Sequence, residues 1–376
     1  MKKLTGSLLI VGAPEKMPDL LYATGFSAVD PVVYLQTAGQ RYLVVPSLEA
    51  GRAARQVKRG VKVMTPADLV HRRAAARKRE NWIFALLRHA HAQRVIVPAY
   101  FPVGLARRLE QKGFRVRVAP AEVFPGRAVK NAGEIRRMQR VQQAAVQAMR
   151  RAVALIRRAA IRPDGLLSVD GWVLTSERVR REIDQALLEN DGAATETIAA
   201  GGTQGADPHE RGSGPLRAGE PIVLDIFPRG RENGYWGDLT RTVVRGRATP
   251  EVRRMYRAVK RAQDSALRKV RAGAAVASIH REVRRVFQST GFSTAWRGAD
   301  SEGFIHNTGH GIGLEVHEGP ILGDVPGRLR AGHVVTVEPG LYYRRFGGMR
   351  IEDAVLVTSK GRRLLARCPS YFELGR

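Results

Sequence analysis

The chain has 376 residues, 44% of them hydrophobic, with 63 basic and 35 acidic side chains giving a formal net charge of +28. That length suggests about two domains, and the apolar fraction suits a protein with a sizeable core. The single cysteine, Cys368, excludes an internal disulfide and fits a reducing, cytoplasmic setting, while no stretch approaches the ~20 apolar residues of a membrane helix.

Met1-Lys2-Lys3 followed by Leu8-Leu9-Ile10-Val11 has the outline of a signal peptide. Its apolar stretch is interrupted at Thr5, Gly6 and Ser7 and runs into Pro14 and Glu15 without a cleavage site, so a short buried strand is the better reading. Strand-like runs at Ser7–Val11, Val32–Leu35, Arg41–Pro46, Val61–Met64, Val95–Pro98 and Arg115–Val118 alternate with helical stretches near Ser47–Arg59 and Trp82–Gln93. An α/β domain over residues 1–127 is expected, with a boundary near Pro125-Gly126-Arg127 and a second domain over 128–376. From Gly133 a long amphipathic helix carries Ile135, Met138, Val141, Ala145, Met149, Ala152 and Ile156 at spacings of three and four. A second helix is expected at about Val169–Leu188. A third opens at Thr249-Pro250-Glu251, a cap residue followed by proline in the first turn. A fourth spans about Val276–Thr290, with Gly291 as its stop.

The most informative residues lie in the second half. Asp225 interrupts the apolar run Pro221–Phe227, and Glu338 follows the apolar run Val334–Val337. Asp238 stands in Gly-Asp-Leu-Thr-Arg-Thr, His310 in Gly309-His310-Gly311-Ile312-Gly313, and Glu352 in Arg350-Ile351-Glu352-Asp353. Four carboxylates and an imidazole cannot be buried together without cations between them. Two divalent metals would neutralise such a cluster, and a metal pair about 3.5–4 Å apart is a common device for activating water. The two-residue period of a strand places Arg350 and Glu352 on one face, and likewise Asp238, Thr240 and Thr242, and Thr336 and Glu338. The glycines around His310 suit close backbone packing, since no Lys-Ser or Lys-Thr follows them as a phosphate loop requires.

The order Asp, Asp, His, Glu, Glu, with Gly-His-Gly-Ile-Gly, Val-Glu-Pro-Gly and Arg-Ile-Glu-Asp around the last three, resembles the metal-dependent pita-bread peptidases of family M24, in their Xaa-Pro aminopeptidase and prolidase branch. The resemblance implies a two-domain α/β protein. An amino-terminal creatinase-like domain, including Asp19-Leu20-Leu21-Tyr22, would precede a pita-bread catalytic domain with a curved antiparallel sheet covered by helices. It also implies two divalent ions, manganese or cobalt first and iron or zinc as alternatives. Asp225 would hold one, Asp238 and Glu352 would bridge both, and His310 and Glu338 would complete the second. Further implied roles fall on His209 and His317, which would stabilise an oxyanion or move a proton, and on His306 and Arg350 at the substrate side. The implied reaction is attack of a metal-bridging hydroxide on the first peptide bond of a short peptide, with proline favoured in second position and Glu338 relaying the proton. Members of the family are often homodimers.

One departure concerns the two aspartates, thirteen residues apart and two more than is usual in the family. The excess falls in Pro228–Gly234, a turn-rich stretch able to lengthen a hairpin without moving its ends, although Arg229 and Arg231 could alter access to the site. The net charge leaves a second possibility, a non-catalytic polyanion-binding protein on the same scaffold. Against nucleic acid as partner, the arginines are spread along helices, and the densest cluster, His71-Arg72-Arg73 to Arg77-Lys78-Arg79, has no interleaved aromatic residues. A third is an aminopeptidase of the same family without proline selectivity.

Overall fold

The structure, a computed structural model, describes residues 6–70 and 78–375. The basic cluster at His71–Arg79 therefore falls largely outside the described residues, as does Met1-Lys2-Lys3. The chain divides into two compact units, Met1–Arg127 and Ala128–Arg376. Among the described residues no helix is long and apolar enough to cross a membrane.

In the first unit the elements are β1 (Ser7–Gly12), α1 (Pro18–Thr24), β2 (Val32–Gln36), β3 (Arg41–Val44), α2 (Ala50–Gln56), β4 (Val61–Met64), α3 (Arg79–His89), β5 (Arg94–Val97), α4 (Val103–Gln111) and β6 (Arg115–Val118). The strands form one mixed sheet in the order β4-β3-β2-β1-β5-β6. Alternation along β1, β2 and β3 feeds two cores. Leu9, Val33, Leu35 and Val44 pack with Ile83 and Leu86 of α3 and Leu109 of α4. Their strand neighbours Ile10, Tyr34 and Leu43 pack with Leu20 of α1 and Ala53 of α2. A sheet covered on both faces needs apolar residues at nearly every position, which is why these strands read as continuous runs. The expected helices near Ser47–Arg59 and Trp82–Gln93 are shorter than anticipated: the first begins as a 3₁₀ turn at Ser47–Glu49, and the second ends at His89.

The second unit opens with α5 (Ala132–Arg158). Its start is set by a reciprocal cap in which the Glu134 amide donates to Asn131 Oδ1 and the Asn131 amide donates to Glu134 Oε2. Asn131→Ala is expected to cost about 1 kcal/mol, read as a lower urea midpoint with an unchanged slope. There follow β7 (Ala160–Ile161), β8 (Leu167–Val169), β9 (Trp172–Val173) and α6 (Ser176–Glu189). The helix expected from Val169 thus begins seven residues later. Asp170 and Gly171 both take positive φ, 57° and 81°, and turn β8 back into β9. Thr175 then caps α6 by accepting from the Arg178 amide. The Asp-Gly pair was the hairpin signal.

The remaining strands are β10 (Gly192–Ala193), β11 (Ile198–Gly201), β12 (Pro221–Ile226), β13 (Arg229–Gly230) and β14 (Leu239–Val244). They are followed by α7 (Pro250–Lys269), capped by Thr249, α8 (Val276–Ser289), β15 (Gly309–Gly311), β16 (Glu318–Leu322) and β17 (Val334–Val337). The chain finishes with β18 (Gly340–Tyr343), β19 (Gly347–Arg350), β20 (Asp353–Val357) and β21 (Arg362–Leu364). They form the antiparallel sheets β11-β12-β14 and β16-β15-β17-β20-β21 and the two-stranded pairs β10-β13 and β18-β19. Helices α5 and α6 bury Met149, Ile156, Ile183 and Leu187 against Ile222, Leu224 and Val243. Helices α7 and α8 bury Met255, Val259, Ile279 and Val283 with Val335, Leu341, Met349 and Val355. With helices on one side, the opposite sides of these strands are left to carry polar groups.

Candidate metal centre

Two of the five candidate ligands lie within strands, Asp225 in β12 and His310 in β15. The other three sit one residue beyond a strand: Asp238 before β14, Glu338 after β17 and Glu352 between β19 and β20. The long connection from β12 to β14 does not disturb them. Ile226 pairs with Leu239 and Asp225 with Thr240, while the intervening residues fold on themselves through Gly230 N–H to Tyr235 O and Gly237 N–H to Pro228 O. Arg229 donates to Gly234 O, and neither it nor Arg231 lines the cavity.

All five ligands line one cavity of about 750 Å³ together with His209, His306, His317 and Arg350. Ligand atoms of Asp238, His310 and Glu352 lie within 4.8 Å of one another. His310 Nε2 is 3.2 Å from Glu338 Oε1 and 3.7 Å from Asp238 Oδ2. The other ring nitrogen of His310, Nδ1, faces Gly311 O at 3.1 Å, which fixes Nε2 as the free lone pair a metal would use. Threonines orient the acids: Thr240 Oγ1 donates to Glu352 Oε2 at 2.7 Å, and Thr336 Oγ1 donates to Glu338 Oε1 at 3.0 Å. Gln142 on α5 clamps the Asp238 backbone from both sides. A Cβ on Gly309 would stand 2.1 Å from Thr336 O, and one on Gly311 would stand 2.2 Å from Gly319 O, so both glycines are required by close strand packing around His310.

Two observations test whether metal fits. Among the described residues, Asp225 Oδ1 and Glu352 Oε1 are buried with no hydrogen-bond partner, which is costly for carboxylate oxygens unless a cation completes them. In addition, the cluster without metal competes for protons. Burial, then the Asp225 charge, holds Asp238 well above the usual carboxylate range. Burial, then Asp238, does the same to Glu352. Burial opposes the charge of His310, but its bond to Glu338 and the neighbouring acids prevail and raise it to about 9. Burial likewise opposes ionisation of Glu338, yet the His310 bond and charge bring it down to about 2. Oxygen-rich donors with one imidazole suit divalent manganese, cobalt or iron, and the residues present fit such ions.

These shifts have a pH consequence. Asp238, Glu352 and His310 bind protons more tightly folded than unfolded, so the stability they contribute is lost as pH rises through their raised values. For His310 that stability is complete below its ordinary 6.5 and disappears as pH passes about 9. Glu338 acts oppositely, its contribution fading as pH falls from 4.5 toward 2. The melting temperature of metal-free protein should therefore fall by several degrees between pH 7 and pH 9, with added Mn²⁺ suppressing the fall. Equal slopes with and without metal would contradict this.

Around the cluster, Arg350 donates to Asp225 Oδ2 at 2.7 Å, Tyr342 Oη at 2.6 Å, Thr240 Oγ1 at 3.2 Å and Pro208 O at 3.4 Å. These bonds orient the candidate ligand Asp225, and Arg350 also lines the cavity. His306 Nδ1 contacts Asn307 O at 2.7 Å and its Nε2 contacts Tyr342 Oη at 3.0 Å. Burial lowers His306 to about 4, so the neutral ring donates from Nδ1 and accepts the Tyr342 hydroxyl proton at Nε2. His317 stands edge-on to His310 with ring centroids 4.3 Å apart. The His209 amide donates to Asp207 Oδ1. Tyr342 was not found from sequence, and only the pairing of β18 with β19, which brings it beside Arg350, could have signalled it. Asp353, next to Glu352, turns away from the cavity and pairs with Arg241 at 2.8 Å.

Residues 136–359 match the profile of metallopeptidase family M24, and residues 1–128 match the creatinase/prolidase N-terminal domain. The chain belongs to metallopeptidase family M24. It is 33% identical over 202 residues to an Xaa-Pro dipeptidase of Pyrococcus furiosus, covering 52% of this chain and 55% of that protein. It is 34% identical over 241 residues to a probable dipeptidase PepE of Mycobacterium bovis, covering 62% and 60%. The matched part thus spans little more than half the length of these relatives. In structure it superposes on an X-Pro aminopeptidase of Thermotoga maritima with a TM-score of 0.82, 23% identity and coverage of 98% and 97%. That likeness establishes the two-domain fold, creatinase-type unit and pita-bread unit together.

Proposed function

We propose that this protein is a dinuclear-metal exopeptidase that hydrolyses the first peptide bond of short peptides with proline in second position. The observation that carries the reading is the pair of partnerless buried oxygens, Asp225 Oδ1 and Glu352 Oε1, in a cavity shared with Asp238, His310 and Glu338. These five residues would hold two divalent ions. The ions, when bound, supply Lewis acidity that makes water a nucleophile near neutral pH and disperses oxyanion charge.

The rest falls to the chain itself. Glu338, anionic at neutral pH, takes the proton released as water attacks the scissile carbonyl and passes it toward the leaving nitrogen. His209 and His317, both facing the cavity, donate to the carbonyl oxygen as it gains charge. Arg350 keeps Asp225 aimed, while His306, held neutral and fixed by Tyr342, bounds the substrate side. Apolar walls from Ile198, Phe227, Ile305 and Val316 suit a proline ring. The relatives named as Xaa-Pro dipeptidase and X-Pro aminopeptidase support the same specificity. The intact ligand set disfavours a purely polyanion-binding role.

Metal-stripped protein given Mn²⁺ or Co²⁺ should regain cleavage of Ala-Pro-Ala and leave Ala-Ala-Ala largely intact. Comparable cleavage of both would remove the proline requirement, and cleavage of neither would remove the peptidase assignment.

A further inference from the structure

His317 lines the cavity and meets His310 edge-on with ring centroids 4.3 Å apart. Among the described residues no hydrogen bond engages its ring, so its aim is set by the backbone that carries it. That backbone is the end of the turn from β15 to β16, residues 312–317.

The turn is held from outside the cavity at two points. At its middle, the Trp236 amide donates to Gly313 O at 2.8 Å and the Trp236 indole N–H donates to Leu314 O at 3.2 Å. At its end, Glu318, the residue after His317, pairs with Lys130. Neighbours along a strand point to opposite faces, and here His317 faces the cavity while Glu318 points to Lys130. Both charged side chains are buried, Lys130 2% and Glu318 7% exposed. The Lys130 backbone is fixed in turn, its amide donating to Gly332 O at 2.8 Å. The Glu318 carboxylate also lies against the start of the turn, since a Cβ on Gly313 would stand 2.5 Å from Glu318 Oε1. Glu318 thus joins both ends of the turn, and Lys130 ties it to the chain just ahead of α5. A buried ion pair contributes little stability beyond an apolar pair of similar size. Its distinct property is direction, because the carboxylate must face the ammonium or stand buried without a partner. His310 has separate support, its amide donating to Thr336 Oγ1 at 3.0 Å.

Resting on the exopeptidase reading above for its catalytic consequence, we propose that Lys130 and Glu318 are positioning residues that aim His317 at the scissile carbonyl. Neither lines the cavity, so their loss belongs in kcat, with KM and Mn²⁺ affinity kept.

The test compares metal-loaded wild type, Lys130→Met and the double variant Lys130→Met with Glu318→Leu on Ala-Pro-Ala, each also in a His317→Ala background. Lys130→Met should lower kcat about tenfold or more, toward the roughly hundredfold that a misplacement of ~1 Å costs, while KM and calorimetric Mn²⁺ affinity stay as in wild type. The double variant removes the uncompensated charge and should melt close to wild type, yet its kcat should stay low. In His317→Ala neither change should lower kcat further, as expected of groups that act through one residue. Independently of turnover, the magnetic-resonance signals of the His317 ring nitrogens in metal-free protein, identified by their absence in His317→Ala, should shift in both variants. A double variant with wild-type kcat, or a loss that persists undiminished in His317→Ala, overturns the positioning role and leaves the exopeptidase reading standing. Wild type that cleaves no peptide overturns the exopeptidase reading, and the His317 signals then decide the placement of the ring by themselves: unmoved, they overturn it.

Discussion

Glu352→Gln is expected to weaken divalent-metal binding by at least about a hundredfold, more than the loss of a residue that merely supports a ligand, and to remove peptide hydrolysis. The substitution is nearly isosteric. The Thr240 hydroxyl that donates to Glu352 Oε2 can donate as well to an amide oxygen, and the backbone bond from the Glu352 amide to Thr240 O is untouched. What disappears is the charge on Oε1, the buried oxygen that lacks a partner. The same change should stabilise the metal-free protein at pH 8, because burial and three neighbouring acids penalise the Glu352 carboxylate. Opposite effects on metal-free and metal-loaded melting temperatures distinguish loss of a ligand from general damage, since metal stabilises only in proportion to its binding. Calorimetric titration with Mn²⁺ that gives wild-type affinity would show that Glu352 is no ligand.

Arg241→Met is expected to cost about 3–5 kcal/mol, the penalty for removing one partner of a buried ion pair. For a unit of this size that corresponds to a melting temperature lower by roughly 10 °C. Arg241 is 1% exposed. It pairs with Asp353 at 2.8 Å and donates to the carbonyls of Thr240, Glu352, Cys368 and Pro369. Methionine fills much of the space but leaves the Asp353 carboxylate, among the described residues, with the Gln263 amide as its partner. Because Arg241 also anchors the Glu352 carbonyl, metal affinity should drop as well. Arg241→Met combined with Asp353→Leu should recover much of the stability, as replacing both partners removes the uncompensated charge. A double variant no more stable than the single one would assign the loss to packing.

The interplay of neighbouring acids shows how far local pattern reaches. Strand alternation puts Glu352 and Asp353 on opposite faces, and the glycines around His310 announce tight packing. Both are local consequences of chain geometry, and the structure displays them in the cavity-facing Glu352 and in the contacts a Cβ would meet at Gly309 and Gly311. Pattern alone does not say which opposite charge waits on the far face, and here it is Arg241, more than a hundred residues away. The late start of α6 is a different failure. Apolar spacing across residues 169–175 suits a helix, but Asp170 and Gly171 in left-handed conformations close a hairpin whose partners are fixed by hydrogen bonds.

Sequence by itself determined the alternation of strands and helices, the cap at Thr249, and the four acids and one imidazole that the structure gathers in one cavity. Each depends on neighbours within a few residues, or on the rule that unpaired charge is not left in a core. Tertiary structure decided how those groups are used. It set Arg350 on Asp225 and Tyr342, made His306 a neutral acceptor, moved Arg229 and Arg231 away from the cavity lining, and placed Glu196 beside Arg211 at its rim. These are matters of distance between residues remote in the chain, and electrostatic energy depends on that distance and on exclusion of water, neither of which the order of residues contains.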